Sequence, residues 1–431
     1  MHGPYFSTDY YLRSQEALTI GLSTVPMYQS WRRFDPGEDF PIDHRYAVLS
    51  ELTKNDIQRY FPQGLVPYQR NVAEGLRRGE IEFVQTSGTT AERVTNIWYQ
   101  PWWNASETAS WKLNRHTAKL DGTHREAILA SAMNVGVRSD RDLSMRERTL
   151  GRFLFLNEKV DAREWTDRHY QRMLDELEEY RPVVLEANPS LLARLCWWAF
   201  EKGLRVYQPQ VMVFTYEYIS AMHLRSIRQV FQAPVVSSYG ATEAGYVFMQ
   251  CEHGVFHQNT EFCRVDFQPL NNVHSGPTLG RILITTFHHP WMSLIRFDVG
   301  DLVRRYENTS CPCGRNEGFL LSAMEGRLAH ATFTTKGRLV TTKQVDDALS
   351  AIDGIRDYQL EQHSASVYTL QLVMVDDPTP VTQASLSALH MLYGSDATIR
   401  IEPCEDIEPT VSGKYRRTHA GFDFDVKRLF T

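Results

Sequence analysis

The sequence predicts an α/β fold, with a large multi-layered N-terminal domain followed by a small, mobile α+β domain. Three observations predict it. Short apolar runs at 183–185, 211–214 and 234–237 alternate with helix-permissive stretches at 164–179 and 189–202, the rhythm of strand, helix, strand units. The chain has 431 residues, more than one ordinary domain uses. After Gly337 the rhythm changes to helix, strand, strand, helix, strand, as expected of a separate domain of roughly 100 residues.

The elements follow in chain order. Residues 52–60 have helical character and 61–64 break it, within an N-terminal region of mixed character. The stretch 189–202 opens behind Asn188, a side chain suited to an N-cap, with Pro189 where its missing amide proton costs nothing. Beyond Gly337 the pattern predicts a helix over 342–352, strands near 358–361 and 367–375, a helix near 383–392 and a strand near 398–401. No repeat or low-complexity tract interrupts this order.

Composition narrows the function. A formal charge of −6, from 46 basic and 52 acidic residues, supplies no broad positive surface for gripping nucleic acid, while leaving small anionic ligands open. The first 20 residues mix charged side chains with aromatics, and no uncharged apolar run reaches the roughly 18 residues of a membrane span. The expectation is a soluble cytoplasmic protein. Six cysteines are too few for a disulfide scaffold, although Cys311-Pro312-Cys313 forms a tight pair.

Four segments carry candidate chemistry. Gln85-Thr86-Ser87-Gly88-Thr89-Thr90 clusters hydroxyls around a glycine after an apolar pair, which suits a phosphate-holding loop as well as an ordinary turn. Ser237-Ser238-Tyr239-Gly240-Ala241-Thr242-Glu243 leaves a strand through glycine, with a ring that can stack, a hydroxyl that can donate and a carboxylate that can hold a cation. Within 294–303, Arg296, Asp298 and Asp301 are charges embedded in an apolar run and need partners: a ribose hydroxyl pair for Asp301 and an anion for Arg296, or a hairpin ion pair. Ser412-Gly413-Lys414-Tyr415-Arg416-Arg417 places a lysine beside a permissive glycine, where it could meet developing negative charge or simply form a solvated basic tail.

In this order and at these separations the four segments resemble the adenylate-forming superfamily, specifically the phenylacetate-coenzyme A ligase branch with its capsule-biosynthesis and deazaflavin-adenylating relatives. The resemblance runs from about residue 52 to Arg417. It implies that Thr86, Ser87, Gly88, Thr89 and Thr90 handle the ATP phosphates, that Ser238, Tyr239 and Gly240 bind the nucleotide with Tyr239 packed by the adenine, and that Thr242 contacts phosphate. It further implies that Glu243 helps bind Mg²⁺, Asp301 holds the ribose hydroxyls, Arg327 approaches the ribose from the crossover at Gly326, and Lys414 drives adenylation. The implied domains are 1–326, including a zinc-binding insertion around 251–313, and a lid over 327–431 that swings about the crossover. The implied reaction has two halves. A carboxylate and ATP give acyl-adenylate and pyrophosphate, and a thiol, with coenzyme A foremost, then displaces AMP.

Two departures from the family pattern stand out. Ala91-Glu92-Arg93 replaces the usual glycine, basic residue and proline of the phosphate loop, and Leu328-Ala329-His330 replaces acidic residues at the crossover. Alternatives therefore remain: transfer to an amine or a carrier-protein thiol, or a degenerate nucleotide-binding protein.

The cysteine pair has an upstream companion in Cys251-Glu252-His253-Gly254-Val255-Phe256-His257. Cys251, His257, Cys311 and Cys313, a set also matched in some family members, would hold a structural Zn²⁺, with His253 the competing ligand. For the acid, Trp98, Trp102, Trp103, Tyr216 and Ala241 are candidate walls of a pocket for a small aromatic carboxylate, although any single tryptophan could equally be core. A homodimer is left open.

Overall fold

A computed structural model describes residues 4–86, 93–130, 143–157, 162–308, 310–375, 378–410 and 414–430. The chain divides into two compact units. The first comprises Met1–Ala118, Ser238–Pro269 and Pro277–Ala323, the second Lys119–Ser237, Leu270–Gly276 and Met324–Thr431.

In the first unit the N-terminal region forms a helix, Thr8–Thr24, capped by the Ser7 hydroxyl. The helical character at 52–60 becomes Lys54–Tyr60, started by a capping box in which Thr53 and Asp56 satisfy each other's backbone amides at 3.2 and 2.9 Å. Strands Glu82–Gln85 and Thr95–Trp98 pair antiparallel, and the helix Gln100–Trp111 follows them. The remaining strands of the unit pair antiparallel: Gly245–Gln250 with Phe256–Gln258, and Cys263–Pro269 with Leu279–Thr286, which pairs in turn with Phe297–Arg305. Leu279–Thr286 is buried along its whole length, Arg281, Thr285 and Thr286 included, so no apolar-polar alternation betrays its period.

The second unit contains the strand and helix alternation that the sequence predicts. Val184–Ala187 pairs in parallel with Glu126–Leu129 on one side and Val211–Phe214 on the other. Met212 to Phe214 continue the parallel ladder to Val235 to Ser237. All residues of the strands Val184–Ala187 and Val211–Phe214 are buried, as parallel strands covered on both faces require. The helices Asp167–Tyr180 and Pro189–Glu201 pack against them through Met173, Leu174, Leu177, Leu191, Leu195 and Ala199. Asn188 Oδ1 accepts the amides of Ser190 and Leu191 at 2.9 and 3.1 Å, so the expected cap is made.

The C-terminal part of this unit follows its predicted order: helix Thr342–Ser350, strands Ile355–Gln362 and Val367–Met374, helix Pro378–Tyr393, strand Thr398–Cys404. A short strand, Thr418–Ala420, completes a four-stranded sheet by pairing in parallel with Ile355–Gln362. Among the described residues no helix is long and apolar enough to cross a membrane.

Candidate active site

In the first unit, Tyr239 and Asp301 meet although 62 residues separate them: the Tyr239 hydroxyl donates to Asp301 Oδ2 at 2.7 Å. Both lie at irregularities in their strands. The ladder between Leu279–Thr286 and Phe297–Arg305 passes from Leu283↔Asp298 to Arg281↔Leu302, so Val299, Gly300 and Asp301 face only one residue of the partner strand. Such a bulge re-aims side chains, and here Gly300, at φ 82°, makes it possible. Tyr239 sits at a second shift, beside Gly240. A Cβ on Gly240 would lie 2.5 Å from the carbonyl oxygen of Gly245, so only glycine permits this backbone approach.

Thr242 and Glu243 occupy the turn between Val235–Ala241 and Gly245–Gln250, with Thr242 and Ala241 partly exposed and Glu243 buried. Ser238 is buried too, and its hydroxyl makes no hydrogen bond among the described residues. Thr86 closes the base of the Glu82–Gln85 hairpin, accepting the amide of Val94 at 3.1 Å. Ser87, Gly88, Thr89, Thr90, Ala91 and Glu92 lie outside the described residues, as do Ser412 and Gly413. The embedded charges of 294–303 find protein partners: Asp298 binds Arg281 at 2.5 Å, and Arg296 faces Asp266 at 3.6 Å. Of these, Arg281 and Asp298 pair across the hairpin of Leu279–Thr286 and Phe297–Arg305, Asp266 lies on Cys263–Pro269, and Asp301 turns to Tyr239.

The three candidate tryptophans of the first unit have two sets of neighbours. Trp98 and Trp103 lie 4.2 Å apart by ring centroid, with Tyr246 5.1 Å from Trp103. Trp102 is buried, donates its indole N–H to the Phe287 carbonyl at 2.8 Å and meets the His289 ring edge-on at 4.6 Å. His289 Nδ1 accepts the Met292 amide at 2.8 Å, and desolvation pushes its pKa down to about 3. It is therefore a neutral acceptor that organises the turn, while His288 is exposed.

The second unit carries Tyr216, Arg327 and Lys414. Tyr216 has φ 77°, uncommon for a bulky side chain, and its hydroxyl donates to Glu186 Oε1 at 2.5 Å. Gly326, at φ 102°, precedes Arg327, and a Cβ there would meet the Thr342 side chain at 2.9 Å. The Leu328-Ala329-His330 departure forms one turn of 3₁₀-helix, tied down where the Thr418 hydroxyl donates to the His330 carbonyl at 2.7 Å. Desolvation lowers the His330 pKa to about 3, assisted by the positive fields of Arg327, Arg416, His419 and Lys414. The lysine's own carbonyl accepts both the amide and the hydroxyl of Thr410 at 2.8 Å.

The metal-ligand candidates also converge. Ligand atoms of Cys251, His257, Cys311 and Cys313 all lie within 4.8 Å of one another. Tetrahedral zinc, with bonds of about 2.3 Å to sulfur and 2.05 Å to nitrogen, requires edges of about 3.8 Å between sulfurs and 3.6 Å from sulfur to nitrogen. The Cys251–Cys311 sulfurs are 3.6 Å apart, and Cys313 Sγ is 3.4 Å from His257 Nε2. Backbone amides of His253 and Arg315 point at the sulfurs of Cys251 and Cys313, each at 3.4 Å. His253 contributes that amide while its side chain is exposed, so geometry selects His257. Desolvation holds His257 down near a pKa of about 4, neutral as a ligand must be, and drives the bare Cys311 thiol up to about 12. A bound cation would reverse the thiol's preference.

No family model matches the chain, and no curated protein matches it. Solved structures do. A 2-hydroxyisobutyryl-CoA ligase in complex with its acyl-adenylate is similar over 99% of this chain and 92% of its own, with a TM-score of 0.68 and 15% identity. The fold is that of the adenylate-forming ligases. Two further likenesses, each over 78% of this chain and with a TM-score of 0.51, agree with it. One is the anthranilate CoA ligase AuaEII in complex with anthranoyl-AMP, 11% identical over 65% of its length. The other is the amide bond synthetase McbA from Marinactinospora thermotolerans, 14% identical over 67% of its length. At these identities the likeness establishes architecture, and chemistry has to be argued from the residues.

Proposed function

We propose that this protein is an ATP-dependent carboxylate ligase that converts a small, aromatic acid to its acyl-adenylate and passes the acyl group to coenzyme A. The observation that carries this reading is the 2.7 Å bond between Tyr239 and Asp301, on a fold shared with ligases of that reaction type. It joins the residue assigned to adenine with the residue assigned to ribose.

The chemistry has a clear physical demand. A carboxylate is a poor electrophile, and attack by its oxygen on the α-phosphorus of ATP brings two anions together. Cationic groups must therefore offset charge that develops as pyrophosphate leaves. Lys414 supplies this at the reacting oxygens, and Arg327 holds the ribose. Glu243, a hard oxygen donor, suits Mg²⁺, which when bound withdraws charge from the phosphates. Asp301 accepts from the ribose hydroxyls, Thr242 and the hydroxyls of 86–90 orient phosphate, and Ser238 has a buried hydroxyl to offer. Trp98, Trp102, Trp103, Tyr216 and Ala241 are the residues assigned to the acyl group. In this reading 1–326 is the adenylation domain and 327–431 the lid, and a zinc ion at Cys251, His257, Cys311 and Cys313 is structural because four protein ligands leave no open position.

The experiment is direct. Protein, ATP and Mg²⁺ are incubated with benzoate, phenylacetate and 2-hydroxyisobutyrate, and pyrophosphate, AMP and thioester are measured with and without coenzyme A. Acid-dependent pyrophosphate release followed by thioester is expected, and Lys414→Ala should lower adenylation by roughly two powers of ten while sparing ATP binding. Unchanged adenylation in that variant rejects the role of Lys414. The likeness to an amide bond synthetase supports a second acceptor class, so a parallel arm replaces coenzyme A with a primary amine. Amide without thioester would favour that class.

A further inference from the structure

Residues 414–417 alternate in burial: Tyr415 and Arg417 are buried, Lys414 and Arg416 partly exposed. That is the period of extended chain, in which successive side chains take opposite faces. Tyr415, next to Lys414, and Arg417, three residues on, enter the interior of the second unit, and both are held there by side chains from far along the sequence.

Tyr415 is gripped twice. Its hydroxyl accepts a hydrogen bond from Arg194 Nε at 2.7 Å, and its amide donates to Glu217 Oε2 at 3.3 Å. The other oxygen of Glu217 accepts the Ser190 amide at 3.3 Å, tying the segment to the first turn of Pro189–Glu201. Arg194 is the one charged residue in that helix besides Glu201, and it also binds Asp406. Arg417 is gripped more deeply. Its Nη1 donates to Asp357 Oδ1 at 2.5 Å, its Nη2 lies 3.2 Å from the His223 ring and 3.4 Å from the Ser190 hydroxyl, and His223 Nε2 is 3.3 Å from Asp357 Oδ2. Ser190, His223, Asp357 and Arg417 are all buried.

We propose that Arg194, Glu217 and the His223–Asp357–Arg417 cluster are positioning residues for Lys414, an inference that rests on the adenylating role assigned to that lysine above. A lysine ammonium on a flexible four-carbon stem can offset charge at a defined oxygen only if its backbone is fixed. A displacement of about 1 Å at a reacting centre can cost roughly a hundredfold in rate. The contacts that fix it span 60 to 227 residues of sequence, so they are a product of the fold and not of a local turn. Their part is separate from the lysine's own, since none of these side chains needs to touch acid or nucleotide.

Two mild variants test this. Tyr415→Phe removes only the hydroxyl that meets Arg194, and Glu217→Gln keeps the shape of the side chain that holds the Tyr415 amide. Each should lower kcat for acid-dependent exchange of pyrophosphate into ATP by about tenfold, with KM for ATP and the melting temperature nearly unchanged. Thioester formation from supplied benzoyl-adenylate and coenzyme A, a step that does not call on Lys414, should proceed at the wild-type rate. Equal losses in both half-reactions, or no loss in adenylation, would overturn the proposal. A second readout is independent of turnover: acetic anhydride labelling of Lys414, followed by peptide mass spectrometry, should be faster in both variants. Should the wild-type protein adenylate none of the acids tried, the ligase reading fails, while unaltered Lys414 labelling in the variants would still refute the clamp on its own.

Discussion

Replacing Asp357 by asparagine should cost about 3–5 kcal/mol of stability, the range for leaving one half of a buried ion pair without its partner. Asp357 and Arg417 are each 4% exposed. Two unit charges about 3 Å apart at an effective dielectric of about 20 attract by roughly 5.5 kcal/mol, and desolvation of both groups cancels much of this. The net worth of the pair is therefore small, but the penalty for orphaning Arg417 is not. Arg417→Met with Asp357→Asn should accordingly cost less than Asp357→Asn and Arg417→Met added together. Urea unfolding followed by tryptophan fluorescence is a suitable assay, since the Trp197 ring packs edge-on to His223 with centroids 5.4 Å apart. The pH dependence supplies a second check. Burial by itself would raise the Asp357 pKa, but the Arg417 guanidinium and His223 outweigh it and hold the carboxyl well below the usual range. A folded-state value below the unfolded value of about 3.9 gives stabilisation that is complete above that pH and lost as pH falls through the folded value. Wild-type protein should therefore lose stability below about pH 4 along a slope that Asp357→Asn lacks. A loss under about 1 kcal/mol at pH 7, or strict additivity with Arg417→Met, would refute the reasoning.

Other expectations follow from the candidate site. Metal analysis of purified protein should find about one zinc per chain, and Cys311→Ser should remove most of it and lower the melting temperature; a zinc-free wild-type protein of unchanged stability would rule out the centre. Asp301→Ala removes the carboxylate assigned to the ribose, so ATP should bind roughly 10–100-fold more weakly, as read by calorimetry, in line with about 1.5–3 kcal/mol for a hydrogen bond to a charged group. Tyr239→Phe, which deletes only the hydroxyl that orients Asp301, should weaken ATP by a few-fold at most, and a loss matching Asp301→Ala would mean that the hydroxyl itself contacts the nucleotide.

The elements most legible in the sequence are those with local causes. Asn188-Pro189 announces a helix because cap and ring act within one turn, and the runs at 183–185 and 211–214 announce buried strands because their neighbours are helices of opposite pattern. The antiparallel strands between Cys263 and Arg305 are harder to read, since a strand buried along its length, such as Leu279–Thr286, loses the alternation that marks one. The same contrast holds within the site. Cys311 and Cys313 advertise a metal by spacing, whereas the choice between His253 and His257 depends on which ring folds inward.

By itself, the sequence determined the α/β class, the order of elements in the second unit and the residue types from which a nucleotide and metal site could be built, because propensity, capping and ligand chemistry act over a few residues. Only the tertiary structure decided which of these meet. A bulge at Gly300 turns Asp301 to Tyr239, and a strand-wise alternation sends Tyr415 and Arg417 inward to Arg194, Glu217 and Asp357. Such pairings are set by strand register and burial, where a buried charge must find its counterpart wherever the chain brings one, and that partner leaves no mark on the neighbouring sequence.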